Sequence, residues 1–110
     1  MQAVENGLLR FEDKVELAKA TSHEFAAALL HKLVERNLKV ATAESLTGGC
    51  IFSTLVDVPF AGGCKYGSFG VYDTDAKRVF LGVTEPDVYT LRCASQMAVG
   101  ILKNSNATLG

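Results

Sequence analysis

Apolar residues recur at helical spacing in the first strongly patterned segment of the chain. They follow Thr21 at intervals of three and four residues, at Phe25, Ala26, Leu29, Leu30, Leu33 and Val34. This spacing is typical of one buried face of a helix. Thr21 and Glu24 fit a capping box at the start of that helix, and Asn37 suits a left-handed end. The pattern therefore predicts a helix between Thr21 and Asn37.

The later segments alternate between strand-like and helix-like patterns. Strands are predicted over residues 38–43 and 66–72, and Leu109 and Gly110 begin a further strand. Helices are predicted over residues 50–56, from Asp73 or Thr74 to Leu81, and from Thr84 to Asn104 with Pro86 in the first turn. Alternating strands and helices predict an α/β fold with a largely parallel sheet. Within the first 20 residues, 13–20 form a candidate short helix.

Composition and charge narrow the class of protein. The chain has 110 residues, of which 48% are hydrophobic and 21% charged, so it is not a disordered chain. The net charge of −1 disfavours direct nucleic-acid binding. No apolar run approaches the ~20 residues of a membrane span, and the acidic N-terminal segment is unlike a signal peptide. We therefore expect a cytoplasmic protein without a membrane partner.

The cysteines and histidines offer no metal-ligand spacing. The three cysteines are odd in number and none forms a C-x-x-C pair, which argues against a disulfide framework or a zinc site. We interpret them as small buried residues, with the alternative that Cys50 could be a reactive thiol if it lies at a helix N-terminus. His23 and His31 lie eight residues apart, so they do not stack on one face of the helix as metal ligands would. We interpret them as surface residues. No metal and no cofactor is predicted.

The turn after the first predicted strand is the most informative segment. Residues 44–49 read ESLTGG and lead into a helix, an arrangement that aims backbone N–H groups at one point. Gly48 and Gly49 allow a ligand to approach the backbone closely. Ser45 could then bind an anion, act as a nucleophile beside an oxyanion hole, or simply cap the turn. The sequence fits neither a Walker A loop nor a G-x-S-x-G motif.

Two motifs resemble a known family. Residues 41–49, ATAESLTGG, closely resemble the A-T-A-E-S-C-T-G-G motif of the CinA C-terminal domain, the nicotinamide-nucleotide amidase family. Residues 70–83, GVYDTDAKRVFLGV, resemble that family's following strand and helix. The resemblance covers roughly residues 26–109 and implies a three-layer α/β/α sandwich. It also implies that 21–110 form a CinA-like domain truncated at its C-terminus, preceded by an extension over 1–20.

The resemblance implies an amidohydrolase that converts nicotinamide mononucleotide to nicotinic acid mononucleotide and ammonia. Ser45 would be the nucleophile and Lys77 the base, with Tyr72 close by as a third catalytic residue. Glu44, Thr47, Gly48 and Gly49 would form the substrate-binding residues. The implied partner is a small pyridine nucleotide, and no cofactor is implied.

The residues themselves leave alternatives open. A lysine can take a serine proton only if its pKa falls from ~10.4 toward ~7–8. Lys77 could instead be a solvated helix lysine paired with Asp73. Tyr72 could be a half-buried strand residue, and Glu44 could orient the turn rather than take part in catalysis.

Departures from the family pattern favour other functions. Leu46 replaces the family cysteine, Val71 replaces a usual threonine, and the segment 89–95 is shortened. One alternative is therefore a nucleotide-binding or interaction module of the same fold with weakened or lost turnover. Another is an interaction role in DNA uptake or repair. An exposed sheet edge would also favour pairing with a second copy.

Overall fold

The computed structural model describes Glu12 and residues 21–110, and the predicted extension and short helix over 13–20 lie outside them, apart from Glu12. Residues 21–110 form four helices and two strands, which alternate as far as the third helix, and the fourth helix follows the third directly. The elements are α1 (Ser22–Glu35), β1 (Val40–Glu44), α2 (Cys50–Val56), β2 (Lys65–Gly70), α3 (Thr74–Leu81) and α4 (Leu91–Lys103). A 3₁₀ turn, Gly62–Cys64, precedes β2. Among the described residues, no helix is long and apolar enough to cross a bilayer.

The sheet is parallel, with β1 at its centre. β1 pairs with β2 from Val40 opposite Lys65 to Glu44 opposite Gly70. On its other side, Val40 forms a parallel bridge with Leu109. The Ala41 amide donates to the Leu109 carbonyl at 3.0 Å. The chain after α4 therefore returns to the sheet, as the predicted strand at Leu109 requires.

Two hydrophobic cores lie on opposite faces of this sheet. Val40 packs into the first core with α1 and α2, whereas Ala41 packs into the second. Consecutive strand residues point to opposite faces, so the two cores are separated by the sheet. The first contains Leu29, Leu30, Leu33 and Leu55, and the second contains Val71, Leu81, Met97 and Ile101. Helices thus cover both faces, which confirms the predicted α/β/α layering.

Local capping signals set the helix ends as the sequence predicts. The Thr21 hydroxyl accepts from the Glu24 amide, and the Glu24 carboxylate accepts from the Thr21 amide, so the capping box is complete. Asn37 adopts a left-handed φ of 53° after α1. Asp73 caps α3 by accepting from the Asp75 amide at 2.7 Å. Gly82 ends α3 with a φ of 68°.

The predicted start of α4 at Thr84 is wrong. The helix begins at Leu91, and Thr90 is its N-cap, accepting from the Cys93 amide at 3.1 Å. The Thr84 and Glu85 amides instead donate to the side chain of Gln96, at 3.0 and 2.9 Å. This contact with α4 holds the segment around Pro86 as a loop, and no local signal in the sequence distinguishes the two threonines as caps.

The cysteines divide into two environments. Cys64 and Cys93 are buried, as predicted, whereas Cys50 is exposed and that part of the prediction is wrong. Burial raises the pKa of the Cys64 thiol, which lies 3.1 Å from the Ala61 carbonyl oxygen. Cys64 and Cys93 therefore act as packing residues. Cys50 is the first residue of α2, the position on which the alternative of a reactive thiol depends.

Helix α4 crosses the end of α3 so closely that only glycine fits at position 100. A Cβ there would overlap the Leu81 carbonyl oxygen and lie 2.9 Å from the Leu81 carbonyl carbon. Alanine normally stabilises a helix interior by about 1 kcal/mol relative to glycine. Because a backbone clash outweighs that gain, we expect Gly100→Ala to lower the free energy of unfolding by about 2 kcal/mol. Urea unfolding followed by circular dichroism would measure it.

Gly67→Ala is the matched control, because no atom of the described residues lies within 4 Å of a Cβ at that strand position. Its free energy of unfolding should stay within about 1 kcal/mol of the parent value. A Gly100→Ala chain as stable as the parent would contradict the close crossing of the two helices.

Candidate active site

The candidate site lies where β1 and β2 end. In parallel α/β sheets, ligands bind at the carboxyl ends of the strands, where the connecting loops meet. Here the turn after β1 and the loop after β2 line a cleft of about 580 Å³. Its lining includes Glu44, Ser45, Thr47, Tyr72, Lys77 and Tyr89. The fold therefore gathers most of the predicted site residues around one cleft.

Ser45 and Lys77 are in direct contact. The Lys77 Nζ donates to Ser45 Oγ at 2.9 Å and to the Tyr72 carbonyl oxygen at 2.7 Å. Lys77 is only 3% exposed, although it belongs to the short helix α3. The alternative of a solvated lysine paired with Asp73 is wrong, since the Asp73 carboxylate caps α3 instead. The two residues predicted as nucleophile and base are thus adjacent, although 32 positions separate them.

The surroundings of Lys77 suit proton transfer. An amine within hydrogen-bond distance of a hydroxyl can take its proton when the amine is neutral. The ion pairs within the described part of the chain involve His31, Arg36 and Arg92 as cations, and none involves Lys77. Its contacts there are a hydroxyl and a carbonyl rather than a carboxylate. The structure thus places a buried amine against a hydroxyl and a carbonyl oxygen, with no carboxylate of the described residues bound to that amine.

Glu44 ties the serine-bearing turn to the start of α2. It is buried, with 4% of its surface exposed, and its carboxylate accepts four hydrogen bonds. The donors are the Thr42 hydroxyl (2.9 Å), the Thr47 hydroxyl (3.0 Å), the Ile51 amide (2.8 Å) and the Phe52 amide (2.9 Å). A buried carboxylate with four donors fixes the residues on both sides of Ser45.

These hydrogen bonds also set the ionisation of Glu44. Burial raises the pKa of the Glu44 carboxyl, but the amides of Phe52 and Ile51 and the two threonine hydroxyls lower it further than burial raises it. The pKa therefore lies below its usual value, and Glu44 is charged at neutral pH. These contacts support the interpretation that Glu44 orients the turn. Its contact with a substrate stays a prediction.

The turn itself depends on Thr47 and the two glycines. Gly48 and Gly49 have φ values of 71° and 136°, which side-chain-bearing residues rarely adopt. The Thr47 hydroxyl oxygen accepts from the amides of Gly49 and Cys50, at 3.3 and 3.2 Å. These two amides, and those bound by Glu44, are thus occupied by the chain itself. Those four amides are therefore not free to bind a ligand, while the substrate-binding role of Thr47, Gly48 and Gly49 stays a prediction.

Two tyrosines, Tyr72 and Tyr89, line the cleft, and the sequence motifs include only Tyr72. Tyr72 contributes its carbonyl oxygen to Lys77, while its side chain is 78% exposed. Tyr89 lines the same cleft from the loop before α4. Its local sequence carries no sign of a site residue, because its position depends on how that loop folds onto α4.

No metal site is evident in the part of the chain that the structure describes, where no group of three or more His, Cys, Asp or Glu side chains could hold an ion. His31 lies on the surface of α1, with its Nε2 3.1 Å from the Glu35 carboxylate. The histidines are therefore not brought to the cleft.

The fold and the cleft define a class of parallel α/β domain with a serine–lysine pair at the carboxyl end of its sheet. Residues 22–110 match the family model of the CinA C-terminal domain. The chain therefore belongs to the CinA C-terminal domain family.

Individual relatives agree with this assignment. A CinA-like protein of Chlorobaculum tepidum is 37% identical over 86 residues, which cover 74% of this chain and 20% of that protein. A solved competence/damage inducible protein of Agrobacterium tumefaciens has 33% identity and a TM-score of 0.72, and the match covers 78% of this chain and 55% of the other. A CinA superfamily protein of Escherichia coli has 25% identity and a TM-score of 0.73, and the match covers 90% and 56%. The chain thus spans about a fifth of the first curated relative and just over half of these solved structures.

Proposed function

We propose that this chain carries the serine–lysine centre of an amidohydrolase that acts on a pyridine nucleotide. The proposed substrate is nicotinamide mononucleotide, and the products are nicotinic acid mononucleotide and ammonia. The observation that supports it is the 2.9 Å contact between Lys77 Nζ and Ser45 Oγ within the cleft. No metal and no cofactor takes part in this proposal.

The proposed reaction has two halves. In the first, neutral Lys77 takes the Ser45 proton as Ser45 Oγ bonds to the amide carbon, then gives that proton to the leaving nitrogen. The carbon–nitrogen bond breaks, ammonia leaves and an ester on Ser45 remains. In the second, Lys77 takes a proton from a water that attacks the ester, and the returning proton restores Ser45 as the acid leaves.

The other site residues have supporting roles in this proposal. Tyr72 lies beside the reacting groups, and its carbonyl oxygen orients the Lys77 amine. Thr47, Gly48 and Gly49 shape the turn against which the substrate would rest. Glu44 is assigned to hold that turn, because all four of its hydrogen bonds are made to the protein itself.

Replacement of the nucleophile tests the proposal. Ser45→Ala should reduce ammonia release from nicotinamide mononucleotide by about 1,000-fold or more, since removing a nucleophile removes the covalent route. Ser53→Ala is the matched control, because Ser53 lies on the exposed face of α2, and it should release ammonia at the parent rate. A parent chain that releases no ammonia, or equal release by Ser45→Ala, would contradict the proposal.

A second candidate is a CinA-like module that binds a nucleotide but has lost turnover. The occupied amides of Gly49, Cys50, Ile51 and Phe52 favour it, because they are not available to stabilise an oxyanion. Calorimetry with nicotinamide mononucleotide separates the two candidates. Binding heat without ammonia release supports the module, and hydrolysis rejects it.

Partners and location stay predictions. β2 pairs only with β1 among the described residues, so its other edge is open and supports the proposal of a homo-oligomer. The proposal that the chain makes no direct contact with nucleic acid rests on its net charge of −1. We also propose that the amidohydrolase is located in the cytoplasm.

A further inference from the structure

The ring of Tyr89 is an exposed aromatic surface at the cleft. Tyr89 is 95% exposed, yet it lines the same cleft as Ser45 and Lys77. Tyr72 is the other tyrosine in this lining, and no aromatic ring contact involves either of them among the described residues. The face of the Tyr89 ring is therefore available to a molecule that enters the cleft.

The backbone that carries this ring is fixed by hydrogen bonds on both sides. The Tyr89 amide donates to the Asp87 carboxylate at 3.0 Å. The Thr90 hydroxyl donates to the Asp87 carbonyl oxygen at 2.9 Å and accepts from the Cys93 amide at the start of α4. Tyr89 is thus held between a local turn and a helix cap.

The rest of the loop is anchored to the body of the domain. The Gln96 side chain of α4 accepts from the Thr84 and Glu85 amides and donates to the Thr84 hydroxyl at 2.9 Å. Val88, next to Tyr89, packs against the second core. An exposed ring on a fixed backbone loses little conformational freedom when a ligand covers it, which is the property of rigid aromatic anchors in binding sites.

We propose that Tyr89 is a specificity-determining residue whose ring stacks on the planar ring of a ligand bound in the cleft. The identity of that ligand ring, a pyridine bearing the amide, rests on the proposed function. Offset stacking of two rings is favourable beyond the area it buries. Its loss should weaken binding about tenfold, within the range found for rings stacked on aromatic side chains.

Direct binding in a chain that cannot turn over tests this inference. In the full chain carrying Ser45→Ala, calorimetry with nicotinamide mononucleotide should give a Kd about tenfold higher for Tyr89→Leu than for its Ser45→Ala parent. Tyr89→Phe keeps the ring and should stay within about twofold of that parent. Tyr66→Leu is the matched control, because Tyr66 is 45% exposed on β2 but does not line the cleft, and it should leave Kd unchanged.

A ligand without the ring separates stacking from a structural effect. Ribose 5-phosphate keeps the sugar and the phosphate, so its Kd should be equal in Tyr89→Leu and in the Ser45→Ala parent. Weaker binding of ribose 5-phosphate by Tyr89→Leu would show a disturbed cleft and overturn the proposal. A Kd for Tyr89→Phe as high as that for Tyr89→Leu would also overturn it, because the hydroxyl rather than the ring would then be responsible.

Failure of this inference and failure of the proposed function give different results. If the parent chain releases ammonia but Tyr89→Leu binds nicotinamide mononucleotide normally, the stacking role is overturned and the amidohydrolase stands. If the parent releases no ammonia but binding depends on the Tyr89 ring, the amidohydrolase is overturned and the stacking role stands. Absence of any binding of nicotinamide mononucleotide overturns the stacking role.

Discussion

Lys77→Met is expected to stop ammonia release while the chain stays folded. Methionine is close to lysine in length and fills the same buried space, but it has no amine to take the Ser45 proton. General base catalysis contributes about 100- to 10,000-fold, so release should fall by a factor in that range. Because methionine cannot donate to the Ser45 hydroxyl or the Tyr72 carbonyl, the free energy of unfolding of the variant should fall by about 1 to 3 kcal/mol. Ammonia release and urea unfolding measure the two effects.

Two further variants show whether proton transfer is the cause. Lys77→Arg keeps hydrogen-bond donors at this position, but a guanidinium does not deprotonate in proteins, so it should be as inactive as Lys77→Met. Lys65→Met is the matched control, because the Lys65 Nζ also donates to main-chain oxygens, those of Val56 and Val58, but away from the cleft. It should release ammonia at the parent rate. Parent-like release by Lys77→Met would contradict the assignment of the base.

The parts of the fold that depend on neighbouring residues were predictable from the sequence. The capping box of Thr21 and Glu24 involves residues three positions apart, and Gly82 ends α3 through its own backbone conformation. The start of α4 was not predictable in this way. Thr84 and Thr90 both resemble caps, and the choice between them depends on Gln96, which lies 12 positions after Thr84.

In the candidate site too, contacts between residues that are distant in the sequence were not predictable from local patterns. The Ser45–Lys77 pair was predicted through the family resemblance, because no local pattern links residues 32 positions apart. The sequence did not decide whether Lys77 is buried, since its place in the predicted helix also fits a solvated lysine. The role of Glu44 was predictable only as one of two alternatives, which were orientation of the turn and participation in catalysis. Its four partners come from β1, the turn and α2, so their convergence appears only when the turn is folded.

Glu44→Gln is expected to destabilise the domain and with it the serine-bearing turn. Each carboxylate oxygen of Glu44 accepts one hydroxyl and one amide hydrogen bond. A glutamine amide nitrogen cannot accept, so one of these two pairs of donors would face another donor in a buried place. Loss of two charge-assisted bonds of this kind should lower the free energy of unfolding by about 3 kcal/mol at neutral pH. Urea unfolding measures it, and Glu35→Gln is the matched control, because Glu35 is half exposed and its ion pairs contribute about 1 kcal/mol at most.

The pH dependence of this difference follows from the pKa of Glu44. Because the pKa of the Glu44 carboxyl is lower in the folded chain than its usual value, its charge stabilises the fold above the unfolded pKa of about 4.3. That contribution is lost as the pH falls through the folded pKa, where the parent carboxyl is also protonated. The stability gap between the parent and Glu44→Gln should therefore be full near neutral pH and shrink in acid. A gap that stays constant as the pH falls would place its origin in packing rather than in the buried charge that holds Ser45 beside Lys77.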